Sequence, residues 1–161
     1  MTLKRISEKW RGNRVTLDVL TKDKIIVKDQ VDSWEEAIEF AAQPLLIQKY
    51  IESSYIDSMI QSVKTLGPYI VIAPHVAIAH ARPGNDVHQV GLSLLKLDEA
   101  INFSTDSHYA ELVFVLSATD STSHLTVLQN LAQLLGQQEN IEALLEASNE
   151  EEIINIIKGV D

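Results

Sequence analysis

The sequence predicts an α/β domain, a mixed β-sheet flanked by helices on both faces, and three observations carry that expectation. Short apolar stretches of strand length lie at 24–29, 69–74, 76–80, 89–97 and 110–118. Longer stretches from Ser33, from Ser53 or Ser54, and over 121–136, 139–147 and 148–158 are spaced at helical period. The two kinds do not alternate strictly, so the sheet is expected to be mixed rather than all parallel. No low-complexity linker or internal repeat interrupts the chain. It reads as a single domain over 1–161, with residues 1–23 as a basic N-terminal extension or edge.

Each element has a local reason. Ser33 and Glu36 have capping-box spacing, and Trp34, Ala37, Ile38 and Ala41 follow at helical intervals. Pro44 should end that helix and can open another at its first position. A second helix carries Ile56, Met59, Ile60 and Val63 on one face. "YIVIAP" and "VAIAH" read as strands broken at Pro74, and "AELVFVLSA" (110–118) is so continuously apolar that it should be central. Leu125, Leu128, Ala132 and Leu135 then mark a helix with Gly136 as its C-terminal cap. Ser148 with Glu151 has the capping-box spacing of a last helix.

Composition excludes several function classes. The chain has no cysteine, which removes disulfides, thiol catalysis and thiolate metal sites. It has no apolar run of transmembrane length and no apolar core to its N-terminal segment, so a cytoplasmic location is expected. Net charge is −10: residues 1–28 carry +5 and residues 29–161 carry −15. An acidic body argues against nucleic acid as a partner, because a phosphate backbone demands clustered Lys and Arg. Acidic residues interrupt the basic N-terminal segment, which reads as a solvated edge of the same domain.

The chemistry is expected at the histidines. His75 and His80 lie in an apolar run of small and β-branched residues; the chain has five histidines in all. His80 falls where a strand gives way to the turn sequence "ARPGND", so the sheet can hold its ring while solvent reaches it. His124 follows "SATDSTS" in the first turn of the 121–136 helix, where free backbone N–H groups and the dipole favour an anion. If the two strands lie side by side, both rings meet at one end of the sheet. That pair suits phosphoryl transfer, with His80 as nucleophile and His124, the nearby serines and the helix amides as donors to the transferring group. A metal site is the alternative, but the compact helical histidine pairs of zinc sites are missing. Arg82 is a candidate anion donor, as are Ser121 and Ser123, with Lys64 a looser one. His88 and His108 lie in polar, loop-like surroundings and should be solvent-exposed.

"YIVIAP" followed by "VAIAHARP" resembles the active-site stretch of the fructose/mannitol-type (type 2) enzyme IIA domains of the bacterial phosphotransferase system. Trp34 with Ala37 and Ile38, "YID" at Tyr55, "INF" at 101–103 and the "HLTVLQNLAQLL" run from His124 extend the resemblance over most of the chain. "GPYIVIAP" and "HARP" are closest to the ascorbate-specific branch. The resemblance implies a phosphocarrier: His80 accepts a phosphoryl group from the phosphocarrier HPr and passes it to a cysteine of an enzyme IIB, with His124 as the second active-site histidine. It implies a mixed sheet with helices on both faces, no metal and no organic cofactor, and only indirect contact with the membrane enzyme IIC. The sugar and the oligomeric state cannot be read from these residues.

Two positions depart from the family pattern. Ala79 stands where proline usually precedes the reactive histidine, so a local constraint on φ is lost. His75 stands where glycine usually follows "AP", and its imidazole is a candidate additional donor to the phosphoryl group. A catalytically silent regulatory paralogue binding the same partners is therefore the runner-up reading, with a histidine-dependent metal protein third.

Overall fold

The computed structural model describes residues 17–159. Strands β1 (Ile25–Lys28), β2 (Val71–Ala73), β3 (His75–Ala79), β4 (Gly91–Asn102) and β5 (Tyr109–Ser117) form one sheet in the order β1-β4-β5-β3-β2. The apolar 110–118 run is the central strand, as its composition predicts. β5 pairs antiparallel with β4 and parallel with β3, while β1 joins β4 in parallel and β2 joins β3 antiparallel, so the sheet is mixed. Both edges are short: β1 has four residues and β2 three.

Alternation along the strands divides the core in two. Ala77, Ala79, Leu95, Leu97, Val113 and Val115 face one way and pack against helices α1 (Trp34–Ile47) and α2 (Ser53–Leu66). Val76, Ile78, Leu92, Leu94, Leu112, Phe114 and Leu116 face the other way. They are covered by α3 (Leu125–Leu135), α4 (Gln138–Glu146) and α5 (Glu150–Lys158). Phe114, Leu112, Val113 and Val115 are all fully buried. At about 1.5–3 kcal/mol for each large apolar side chain removed from water, β5 contributes more to the core than its length suggests.

Three local expectations are corrected. Pro44 does not end α1, which runs on to Ile47. Its carbonyl still accepts the Gln48 N–H at 3.0 Å, and burial of Pro44 and Leu45 in the first core offsets the missing N–H. The helix after β5 starts at Leu125 rather than near Ser121, so His124 is its N-cap residue and not a member of its first turn. The last helix is capped by Asn149, whose side chain accepts from the Glu152 N–H at 2.9 Å, one residue beyond the Ser148–Glu151 box. The Ser33–Glu36 cap forms as the spacing predicts, with the hydroxyl accepting from Glu36 N–H at 3.1 Å.

Residues 1–16 of the basic N-terminal segment lie outside the described residues. Within 17–23, Leu17 and Leu20 are buried in the second core.

His75 opens β3 with φ 78°, a left-handed conformation that costs most side chains about 1–2 kcal/mol and costs glycine nothing. That backbone geometry is the physical reason for glycine at this point of the family pattern. Replacing His75 with glycine is expected to raise the thermal midpoint by about 2–4 °C, the strain relieved exceeding the loss of the half-exposed hydrogen bond between His75 and Glu111. Calorimetric unfolding of His75→Gly beside the parent chain measures it.

Candidate active site

β3 and β5 run in parallel with Ala79 opposite Val115; β3 ends at that pair, while β5 continues to Ser117 alongside β4. His80 is the first residue after β3, and the segment after β5 carries Ser121 and His124. Neighbouring parallel strands therefore deliver both histidines to the same, carboxyl, end of the sheet, where open α/β sheets form ligand crevices. Here the crevice is a cleft of about 550 Å³ lined by His80, Arg82, Ser121 and His124 together with residues of α2.

The His80 ring is fixed from two sides. Its Nδ1 lies 3.0 Å from the Ile78 carbonyl. A carbonyl only accepts, so Nδ1 carries the proton and Nε2 presents its lone pair. The Tyr69 ring meets the imidazole edge to face, with centroids 5.6 Å apart and planes at 87°. Tyr69 reaches this position because β2 and β3 pair antiparallel, Val71 opposite Ala77, which brings the start of the hairpin beside its end.

His124 is half-buried, and its Nδ1 is buried without a hydrogen-bond partner among the described residues. The tautomer with hydrogen on Nε2 avoids burying an unpaired N–H, so His124 is set up as an Nε2–H donor. The turn before it is organised by Asp120, whose Oδ1 accepts from Thr122 N–H at 2.8 Å, Ser123 N–H at 2.6 Å and the Thr122 hydroxyl at 3.1 Å. These bonds, the Thr122 amide first, hold the Asp120 carboxyl below its ordinary value.

Of the expected site residues, His80, His124, Arg82 and Ser121 share the cleft. Ser123 does not line it; its hydroxyl pairs with Thr119 at 3.0 Å. His75 is corrected: it opens β3 and not its end, about 16 Å away at strand rise, and its Nδ1 sits 2.9 Å from Glu111 Oε1. It is no donor to a group on His80. Lys64, exposed on the last turn of α2, is not a lining residue either. His88 is exposed and pairs with Glu52 at 2.8 Å, whereas His108 is only half-exposed and pairs with Ser104 at 2.7 Å.

Sequence reasoning missed Tyr55, Ser58, Ser62 and Tyr69, all of which line the cleft. Tyr55 is buried, and its hydroxyl lies 2.7 Å from the Leu116 carbonyl and 3.1 Å from the Ala81 N–H. Burial pushes that hydroxyl up to about 12, so it stays protonated through the neutral range. The sequence marks Tyr55 only as the start of the "YID" motif in the resemblance, which assigns its hydroxyl no role.

An oriented imidazole, a second imidazole able to donate, an arginine and a serine hydroxyl in one cleft form a site for transferring an anionic group through a histidine. Comparison with known proteins agrees. The family "Phosphoenolpyruvate-dependent sugar phosphotransferase system, EIIA 2" matches residues 18–160. The mannitol-specific cryptic phosphotransferase enzyme IIA component of Escherichia coli K12 is 36% identical over 140 residues, covering 87% of this chain and 95% of the relative. The ascorbate-specific EIIA component of the same organism is 28% identical over 143 residues, with 87% and 93% covered. The solution structure of the cryptic mannitol enzyme IIA superposes with a TM-score of 0.84 over 90% of this chain and 99% of that one, at 36% identity. A IIA domain from Streptococcus pyogenes superposes with a TM-score of 0.80 at 28% identity, with 90% and 95% covered. This chain belongs to the EIIA 2 family of the sugar phosphotransferase system. Members of that family are phosphotransferases that work through a phosphohistidine, and phosphoryl transfer is the reaction class of this chain.

Because the ionised Asp120 holds the turn, its three hydrogen bonds are fully present above the ordinary carboxylate range. They are lost as pH falls through the lowered value. The Thr122 and Ser123 amide resonances are expected to shift together in that acid window, and Asp120→Asn to remove the titration from both. An NMR pH titration of the backbone amides reads this directly.

Proposed function

We propose that this chain is a cytoplasmic phosphocarrier that takes a phosphoryl group from phospho-HPr onto Nε2 of His80 and hands it to a cysteine of an enzyme IIB. The observation that carries the reading is the His80 imidazole, its Nδ1–H committed to the Ile78 carbonyl, in one cleft with His124 and Arg82. In the first step Nε2 attacks phosphorus, a nitrogen–phosphorus bond forms on His80, and the bond to the donor histidine breaks. The donor leaves as a neutral imidazole. His80 keeps its Nδ1 proton and becomes positively charged, a charge that the Ile78 carbonyl dipole faces. In the second step a cysteine thiolate of the partner displaces the neutral His80 ring. In both, the guanidinium of Arg82, the Nε2–H of His124 and the hydroxyl of Ser121 supply donors to the equatorial oxygens, where charge is spread.

Ala79 does not weigh against activity. It is buried, and its pairing with Val115 supplies the backbone constraint that a proline would have given. That removes the main argument for a silent paralogue. Among the described residues there is no group of three or more His, Asp or Glu placed to hold a metal ion. Among the described residues no helix is long and apolar enough to cross a membrane. The sugar binds the membrane enzyme IIC, which this domain would reach only through IIB. An ascorbate-like or mannitol-like route is the choice suggested by the motif and by the relatives.

Incubation with phosphoenolpyruvate, enzyme I and HPr is expected to place one acid-labile phosphoryl group on His80, mapped by mass spectrometry at alkaline pH. His80→Asn should accept none while keeping its fold. His124→Ala should slow acceptance by about 10²–10³, the usual loss for one positioned donor. An unlabelled parent chain beside a labelled control enzyme IIA would return the reading to the silent paralogue.

Leu66 lines the cleft and is 70% exposed. Leu66→Asp is expected to raise the apparent KM for phospho-HPr at least tenfold without lowering thermal stability, measured by transfer kinetics over a range of donor concentration.

A further inference from the structure

Through its side-chain hydroxyl Tyr55 touches both strand ends of the cleft. It rises from α2 into the sheet's carboxyl end and is fully buried. Its hydroxyl accepts from Ala81 N–H at 3.1 Å and donates to the Leu116 carbonyl at 2.7 Å; the Ala81 carbonyl, at 3.4 Å, is the weaker of two acceptors for one proton. Ala81 directly follows His80, and Leu116 is the penultimate residue of β5. Continued by one residue past Ala79–Val115, the register would set His80 opposite Leu116. Instead the hydroxyl stands between the two chains.

We infer that Tyr55 is a positioning residue for phosphoryl transfer, a wedge that ends the β3–β5 ladder at His80 and fixes how far that imidazole stands from His124. It does not touch the transferring group. Its hydroxyl satisfies an N–H and a carbonyl that would otherwise be buried unpaired or would close on each other, so the strands part where the cleft must open. Aim matters here, because misplacement by about 1 Å costs a well-oriented reaction about 10² in rate. The inference rests on the phosphocarrier reading of His80.

The test is a kinetic cycle on the full chain with Tyr55→Phe, His124→Ala and the double variant, each phosphorylated by phospho-HPr, together with the 15N spectrum of the His80 ring. Phenylalanine keeps the buried ring and deletes only the hydroxyl. The expected result is a fall of about tenfold or more for Tyr55→Phe alone and less than about threefold when His124 is already alanine. The Nδ1–H signature of His80 should weaken in Tyr55→Phe while the far-ultraviolet spectrum is retained. A rate within twofold of the parent overturns the inference, as does an equal fold-loss in both backgrounds with an unchanged ring spectrum. Should Tyr55→Phe fail to fold, the cycle is run in the His75→Gly background, which is remote from the cleft. A parent chain that accepts no phosphoryl group defeats the phosphocarrier reading. The ring spectrum then decides on Tyr55 by itself: unchanged in Tyr55→Phe, it overturns the inference.

Discussion

The pairing of β3 with β5 is the constraint on which the rest of the site depends. Ala79 and Val115 are opposite one another and both fully buried, so the last rung of the ladder is anchored by packing against the α1–α2 layer. A slip of one residue would turn Val113 and Val115 into the α3–α5 layer and Leu112 and Phe114 into the α1–α2 layer. It would also move His80 relative to the segment that carries His124. The same hydrophobic alternation that builds two cores therefore sets the spacing of two polar rings.

Around this rung, protein groups take up the proton-bearing positions that would otherwise compete with substrate. The Ile78 carbonyl holds one nitrogen of His80, Asp120 holds the turn before His124, and the Tyr55 hydroxyl holds the backbone behind both. The cleft itself is left with Arg82, Ser121 and the imidazole edges, on exposed or half-exposed chain. Rigid polar partners behind and accessible donors in front is the division of labour that electrostatic preorganisation requires.

Much of this was legible in the residues. A continuous apolar run marked β5 as central, Ser33 and Glu36 marked the start of α1, and a histidine at a strand's end beside a turn marked a residue that lines the cleft. What escaped depends on tertiary context. Nothing local shows that Pro44 can sit within α1, because the compensation comes from the buried surroundings of Pro44 and Leu45. The positive φ at His75 is a property of the β2–β3 turn, so its imidazole looked like a neighbour of His80 when the strand sets the two at opposite ends. Tyr55 and Tyr69 join the site only through helix docking and hairpin register, which the motifs "YID" and "YIVIAP" do not disclose.

The sheet's two borders bear on how this chain meets other molecules. β1 offers four residues along its open side and β2 three, with Pro74 following immediately. A proline donates no N–H, and three or four residues give an incoming strand few bonds to offset its ordering. Strand-to-strand joining between copies is thereby discouraged at both margins. A phosphocarrier that must release each partner after transfer benefits from borders that do not hold on.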